Sequence, residues 1–100
     1  MAHVRFVDET TSGTRGDALG LQVAEERLAL RELIRRRAAE EAGAGGEDRE
    51  RAGERAVEAF GRGGFLVLVG DRQITELDET VDLGAATEVT FLRLVPLVGG

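Results

Sequence analysis

The residues VPLVGG, 95 to 100, run from an apolar stretch into a bare, flexible diglycine. The reactive group such an end offers is a carboxylate on Gly100, with Gly99 before it. A second feature bears on that group: all thirteen basic residues are Arg, and Lys is absent. Two readings of this stay open together. One is a GC-rich genome that spells its cations as Arg. The other is chemical: a carboxylate carried as a reactive acyl species is exposed to attack by the chain's own amines, and Lys is the usual amine. Without Lys, only the N-terminal amine is left for self-linkage.

Other residue types offer less. His3 is the only histidine and there is no cysteine, so it has no partners for a transition-metal site and reads as structural. Glu76, Asp78, Glu79 and Asp82 lack the spacing of a calcium loop and read as a solvated acidic rim. GRGG at 61 to 64 has neither the Lys nor the Ser/Thr of a phosphate-binding loop and reads as a helix stop. No nucleophile and base stand paired among the few Ser and Thr. Arg35, Arg36 and Arg37 form a cationic cluster, read as a solvated face with Glu32, Glu40 and Glu41 nearby or as a docking site.

The elements that position these groups follow from periodicity. Val4 and Phe6 alternate with His3, Arg5 and Asp8, as a strand does. A polar loop, DETTSGTRGD, leads to Leu19, Leu21 and Val23, a second strand antiparallel to the first. From Leu30 the period changes: Leu30, Leu33, Ile34 and Ala38 mark one face of an amphipathic helix that ends near the glycines of AGAGG, 42 to 46. A second, shorter helix starts with Glu47 and Asp48, carries Ala52, Ala56 and Phe60, and stops at Gly61, Gly63 and Gly64. Phe65 to Val69 is a continuously apolar strand, covered on both sides or central in its sheet. Gly70 and Asp71 turn it into Arg72 to Ile74. ELDETVDLGAA should wrap the sheet edge, pinned by Leu77, Val81 and Leu83. Glu88 to Val95 is the last strand, weakened at Pro96, which has no N–H to donate.

One hundred residues suit one core, read as a domain over 1–95 and a flexible tail over 96–100. The longest apolar run, Phe65 to Val69, is far short of a membrane span. MAHVRFVDE carries charges where a signal peptide needs apolar residues, so the expected location is the cytoplasm. A net charge of -6 disfavours nucleic acid and suits a basic protein partner. The helices between the two hairpins require a crossover, which makes a mixed sheet of four to five strands with the main helix on one face. This is an α+β roll of the β-grasp type.

That order, ending in TEVTFLRLVPLVGG, resembles the ubiquitin-like β-grasp superfamily, which includes ubiquitin, the thiamine-pathway sulfur carrier and the small subunit of molybdopterin synthase. Val67 to Ile74, with its VGDRQI turn, resembles the hairpin before the last strand of the sulfur carriers, and Glu88 to Leu94 resembles their final strand. Pro96, Val98, Gly99 and Gly100 resemble the end of the synthase subunit. That subunit usually has two adjacent prolines where Val95 and Pro96 stand here, and the sulfur carriers usually have an acidic turn where this chain has GAATE, 84 to 88. Both departures favour protein modification over sulfur transfer.

The resemblance implies a substrate of an adenylating enzyme rather than an enzyme, with no cofactor of its own and ATP used by the partner. Gly99 and Gly100 thread into that partner, Pro96, Leu97 and Val98 position the tail, and Gly100 is adenylated. A ubiquitin-activating-type enzyme and a downstream conjugating enzyme of a bacterial-type system then deliver Gly100 through a thioester to a protein target, as an isopeptide. The alternative is a sulfur carrier with a Gly100 thiocarboxylate, served by a sulfur donor and a cofactor-synthesis enzyme. A third reading is a non-catalytic interaction module. Ubiquitin-like proteins commonly offer one sheet face to partners, for which Leu66, Leu68, Phe91 and Leu92 are candidates, with Arg35 and Arg36 on the helix. No nucleic acid or membrane is implied as a partner.

Overall fold

A computed structural model describes residues 2–13, 15–43, 46–84 and 86–93. Its elements are β1 (Ala2–Thr10), β2 (Arg15–Val23), β3 (Arg27–Ala29), α1 (Leu30–Ala42), α2 (Gly46–Gly61), β4 (Phe65–Val69), β5 (Arg72–Ile74), β6 (Thr80–Asp82) and β7 (Ala86–Arg93). The architecture is α+β. A five-stranded sheet runs in the order β2-β1-β7-β4-β5, and β3 and β6 form a separate pair. The first and last strands, β1 and β7, are parallel neighbours, while every other pairing is antiparallel. This mixed sheet with its helices on one face is compatible with a β-grasp roll.

Alternation along the strands builds the core. Ala2, Val4 and Phe6 of β1, Val67 of β4, Ile74 of β5 and Val89 and Phe91 of β7 point to the helices and are buried with Leu30, Leu33 and Ile34 of α1. The stripe on α1 continues at Arg37, which is also buried. Where Ala38 was expected to extend the apolar face, Arg37 takes the deeper place and Ala38 is half-buried.

The N-terminus of α1 has no side-chain cap. Its first N–H groups are satisfied by another segment: Leu30 donates to the Glu79 carbonyl at 2.9 Å and Arg31 to that of Leu77 at 3.0 Å. The stretch 76–83 therefore crosses the helix start instead of only wrapping the sheet edge. Val81 and Leu83 are buried there, Leu77 is partly buried, and Thr80–Asp82 pairs with β3. A three-residue strand is too short for alternation to show in sequence.

The second helix is longer than the first, 16 residues against 13, so the expectation of a shorter one is corrected. Its thin apolar face did not limit its length because α1 supports it. Gly53 is buried there, and a Cβ at that position would lie 3.3 Å from Arg35 Cγ, which lets the helices approach closely. The helix ends in a Schellman arrangement. Gly63 has φ +77 and donates to the Phe60 carbonyl at 3.0 Å, and Gly64 donates to that of Ala59 at 2.8 Å. No described helix is long and apolar enough to cross a membrane.

Candidate functional site

The expected reactive end lies outside the described residues: Pro96, Leu97, Val98, Gly99 and Gly100, with Leu94 and Val95 before them. Its root is described. Arg93 pairs in register with Thr10 of β1 and Phe65 of β4, and its carbonyl accepts a hydrogen bond from the Thr11 N–H at 3.0 Å. The chain that leads into the tail is thus held on both flanks of a central strand.

On the sheet face away from the helices, β7 contributes Glu88, Thr90 and Leu92, β4 contributes Leu66 and Leu68, and β1 contributes Arg5, Val7 and Glu9. The register makes two cross-strand rows: Val7, Thr90, Leu68 and Gln73, then Glu9, Leu92 and Leu66. Leu66, Leu68 and Leu92 are each half-buried. Val7 is only 1% exposed and Thr90 only 4%, although no described helix covers this face. Arg5 and Glu88 flank the patch, their charged groups 3.9 Å apart. The strand FLVLV carries more apolar residues than one buried face needs because Val67 serves the core while Leu66 and Leu68 serve the open side.

Phe91 does not belong to this surface. It is 5% exposed on the helix side, its ring centroid 5.8 Å from that of Phe6 and 5.3 Å from that of Phe65. Position 91 is one residue from Leu92, and a shift of one along a strand changes the face.

Arg35 and Arg36 lie on α1, on the opposite side of the sheet from the leucines. Arg35 is exposed, and its stem packs by Gly53. Arg36 grips Glu25 as a fork, Nη1 to Oε1 at 3.1 Å and Nη2 to Oε2 at 2.6 Å, and donates from Nε to Glu32 at 3.2 Å. The hydrogen bond from Arg36 holds the Glu25 carboxyl below its ordinary value, and the bond to Glu25 raises the guanidinium. The helix arginines and the leucine rows are two separate places.

Arg37 corrects the reading of the three arginines as one solvated cluster. It is 7% exposed, donates to Asp8 Oδ2 at 2.5 Å, and has its guanidinium carbon 4.5 Å above the centre of the Phe91 ring. Its Nε lies 2.5 Å from Glu41 Oε1, without the alignment of a hydrogen bond. A cavity of about 80 Å³ opens beside it, lined by Asp8, Ala38, Phe65 and Arg93 among others. Asp8 and Arg37 are the polar residues that sequence reasoning missed. The signal for Arg37 was its position, seven residues after Leu30 on the buried stripe.

The acidic rim is bound by arginines. Asp82 pairs with Arg27 at 2.8 Å, Asp78 with Arg31 at 3.1 Å, and Glu79 with Arg72. Among the described residues no cluster of three or more His, Asp or Glu could hold a metal ion. His3 stands on the open face, where a Cβ on Gly20 would lie 3.5 Å from its Nε2. The open sheet face is thus a partly buried apolar patch whose central strand runs on to Arg93. Comparison with known proteins finds no matching family model and no matching curated protein.

Proposed function

We propose that this chain is a ubiquitin-like protein modifier of a bacterial-type conjugation system, acting through the carboxylate of Gly100. A ubiquitin-activating-type enzyme adenylates Gly100 with ATP, a conjugating enzyme receives the acyl group on a thiol, and an amine of a protein target takes it as an isopeptide. The chain contributes the reacting carboxylate and no catalytic side chain. Gly99 and Gly100 thread into the activating site, and the fixed φ of a proline at position 96 lowers the entropy lost on threading.

The observation that carries the reading is the continuity of β7. Leu92 stands in the open apolar face, and the next residue, Arg93, begins the run to the diglycine. An enzyme that docks on Leu66, Leu68 and Leu92 therefore holds the tail at a fixed root. Residues 94 to 100 reach at most about 23–25 Å from Arg93, at roughly 3.3–3.6 Å per residue, so the adenylating site must lie within that radius of the docked face.

The test is intact and peptide mass spectrometry of tagged protein purified from its native host, beside a form lacking Gly99 and Gly100. The expected result is a branched peptide joining Gly100 to a target residue, lost in the deletion. An oxygen-to-sulfur mass increase at the C-terminus would replace this reading with sulfur transfer. An unmodified tail, with the deletion functioning as wild type does, would leave only an interaction module.

A further inference from the structure

We infer that this chain is a single-copy modifier: it is transferred to amines but offers none on its own side chains, so its conjugates do not grow into chains. The inference rests on the proposed function and deepens it by restricting the acceptors to other proteins. In the transfer step, the lone pair of an acceptor amine attacks the Gly100 carbonyl carbon and a C–N bond forms. The bond to the adenylate phosphate or to the enzyme sulfur breaks: AMP leaves and the amine proton passes to solvent, or the thiolate leaves and takes up the amine proton to become the free thiol. A second copy can extend the product only if the first supplies a nucleophile; none of its thirteen basic side chains is an amine, which leaves the N-terminal amine as the one amine to be tested. Guanidinium stays protonated at neutral pH and does not serve.

The structure separates arginines that the fold requires from those it does not. Arg36 makes a two-pronged fork with Glu25, and Arg37 sits over the Phe91 ring while binding Asp8, contacts an ammonium does not reproduce. Arg55 and Arg62 on and just after α2 are different. Both are exposed, and neither has a side-chain ion pair or hydrogen bond among the described residues. The fold would accept Lys at either position, so folding does not account for the absence of amines there. The hydroxyls are weak nucleophiles beside an amine, and several are also engaged: the Thr90 hydroxyl is buried, that of Thr87 donates to the Leu83 carbonyl, and the Thr10 and Ser12 hydroxyls bond each other at 2.8 Å, while Thr75 and Thr80 are exposed.

The experiment isolates conjugates of the tagged full-length protein from its host and compares wild type with the double variant Arg55→Lys, Arg62→Lys. Trypsin cuts after Arg93 and leaves LVPLVGG as the branch, which marks every acceptor. For wild type the expected branches fall on lysines of other proteins and none on this chain, with one copy per acceptor site. For the double variant, branches at positions 55 or 62 and additional rungs of conjugate mass are expected. A wild-type branch on Met1, Ser12 or a threonine of a second copy overturns the inference while the modifier reading stands. A double variant that still adds only one copy also overturns it, since the missing amine would not be what stops extension. Absence of every branch, with a thiocarboxylate or an unmodified tail, overturns the modifier reading and this inference with it.

Discussion

Replacing Arg37 by Met tests the buried link between α1 and the central strands. The guanidinium is the only described donor to Asp8 Oδ2, and the Arg37 side chain is 9% exposed against 35% for Asp8. Removing one member of a well-buried ion pair costs about 3–5 kcal/mol, because the partner is left charged and unpaired. Solvent reaches a third of Asp8 and relieves part of that, so the expected loss is about 2–3 kcal/mol, including the lost contact with the Phe91 ring. For a domain of this size, that lowers Tm by roughly 10–20 °C. Urea unfolding followed by circular dichroism, with thermal melts beside it, measures both quantities. Adding Asp8→Ala to Arg37→Met removes the stranded carboxylate and should restore about 1 kcal/mol or more. The reasoning fails if Arg37→Met costs less than about 0.5 kcal/mol, or if the two substitutions simply add. Glu41→Gln should cost under about 1 kcal/mol, since that carboxylate is largely in solvent.

On the two faces of β7 the expectations diverge. Phe91→Ala should cost about 3–5 kcal/mol in urea unfolding, whereas Leu68→Ser should change stability by about 1 kcal/mol or less and raise the KM of the activating enzyme in ATP–pyrophosphate exchange; equal stability losses would refute the assignment of faces. Gly63→Ala, at φ +77, should lower stability by about 1–2 kcal/mol, while Gly61→Ala, with open space around it, should hold or raise it; thermal melts of the two decide. Glu25→Gln tests the fork. Because Arg36 depresses the Glu25 pKa in the folded state, the stabilisation from Glu25 is complete above its ordinary value of 4.5 and is lost as pH falls through the depressed one. The stability gap between wild type and Glu25→Gln should narrow on acidification below 4.5, and a gap constant across that range would refute the pairing.

Much of the fold was legible because burial on one side writes a period into the sequence. Val4 and Phe6, Leu19 to Val23, and Leu30 to Ile34 announced their elements, and the glycines at 43, 63 and 70 marked breaks that the backbone makes with positive φ. Gly70 opens the two-residue turn between Val69 and Arg72, and its positive φ suits the twist of the hairpin. What stayed hidden was set by distant partners. The β3 and β6 pairing joins residues more than fifty positions apart through three-residue strands, and the cap of α1 comes from carbonyls of Leu77 and Glu79. Neither leaves a local pattern. The length of α2 was underestimated for the same reason, since Gly53 reads as a weak helix residue until Arg35 is set against it.

For the candidate site, sequence composition and register contributed different things. FLVLV and TFLRL showed a surplus of apolar residues, but choosing between faces required the pairing of β4 with β7: Val67 opposite Phe91 puts both inside, and Leu66 opposite Leu92 puts both outside. At Arg37 the conflict was between period and residue type. The spacing of Leu30, Leu33 and Ile34 reaches position 37 as well as 38, and the charge at 37 gave the face to Ala38 and Arg37 to solvent; the structure buries Arg37 instead and neutralises its charge with Asp8 from β1. The fixed spacing of the helix outweighed the desolvation of one guanidinium because a carboxylate and an aromatic face were both within reach. An arginine on an otherwise apolar stripe is thus a pointer to an acidic partner on the facing sheet, and here that partner is on the strand beside β7, whose Arg93 begins the tail.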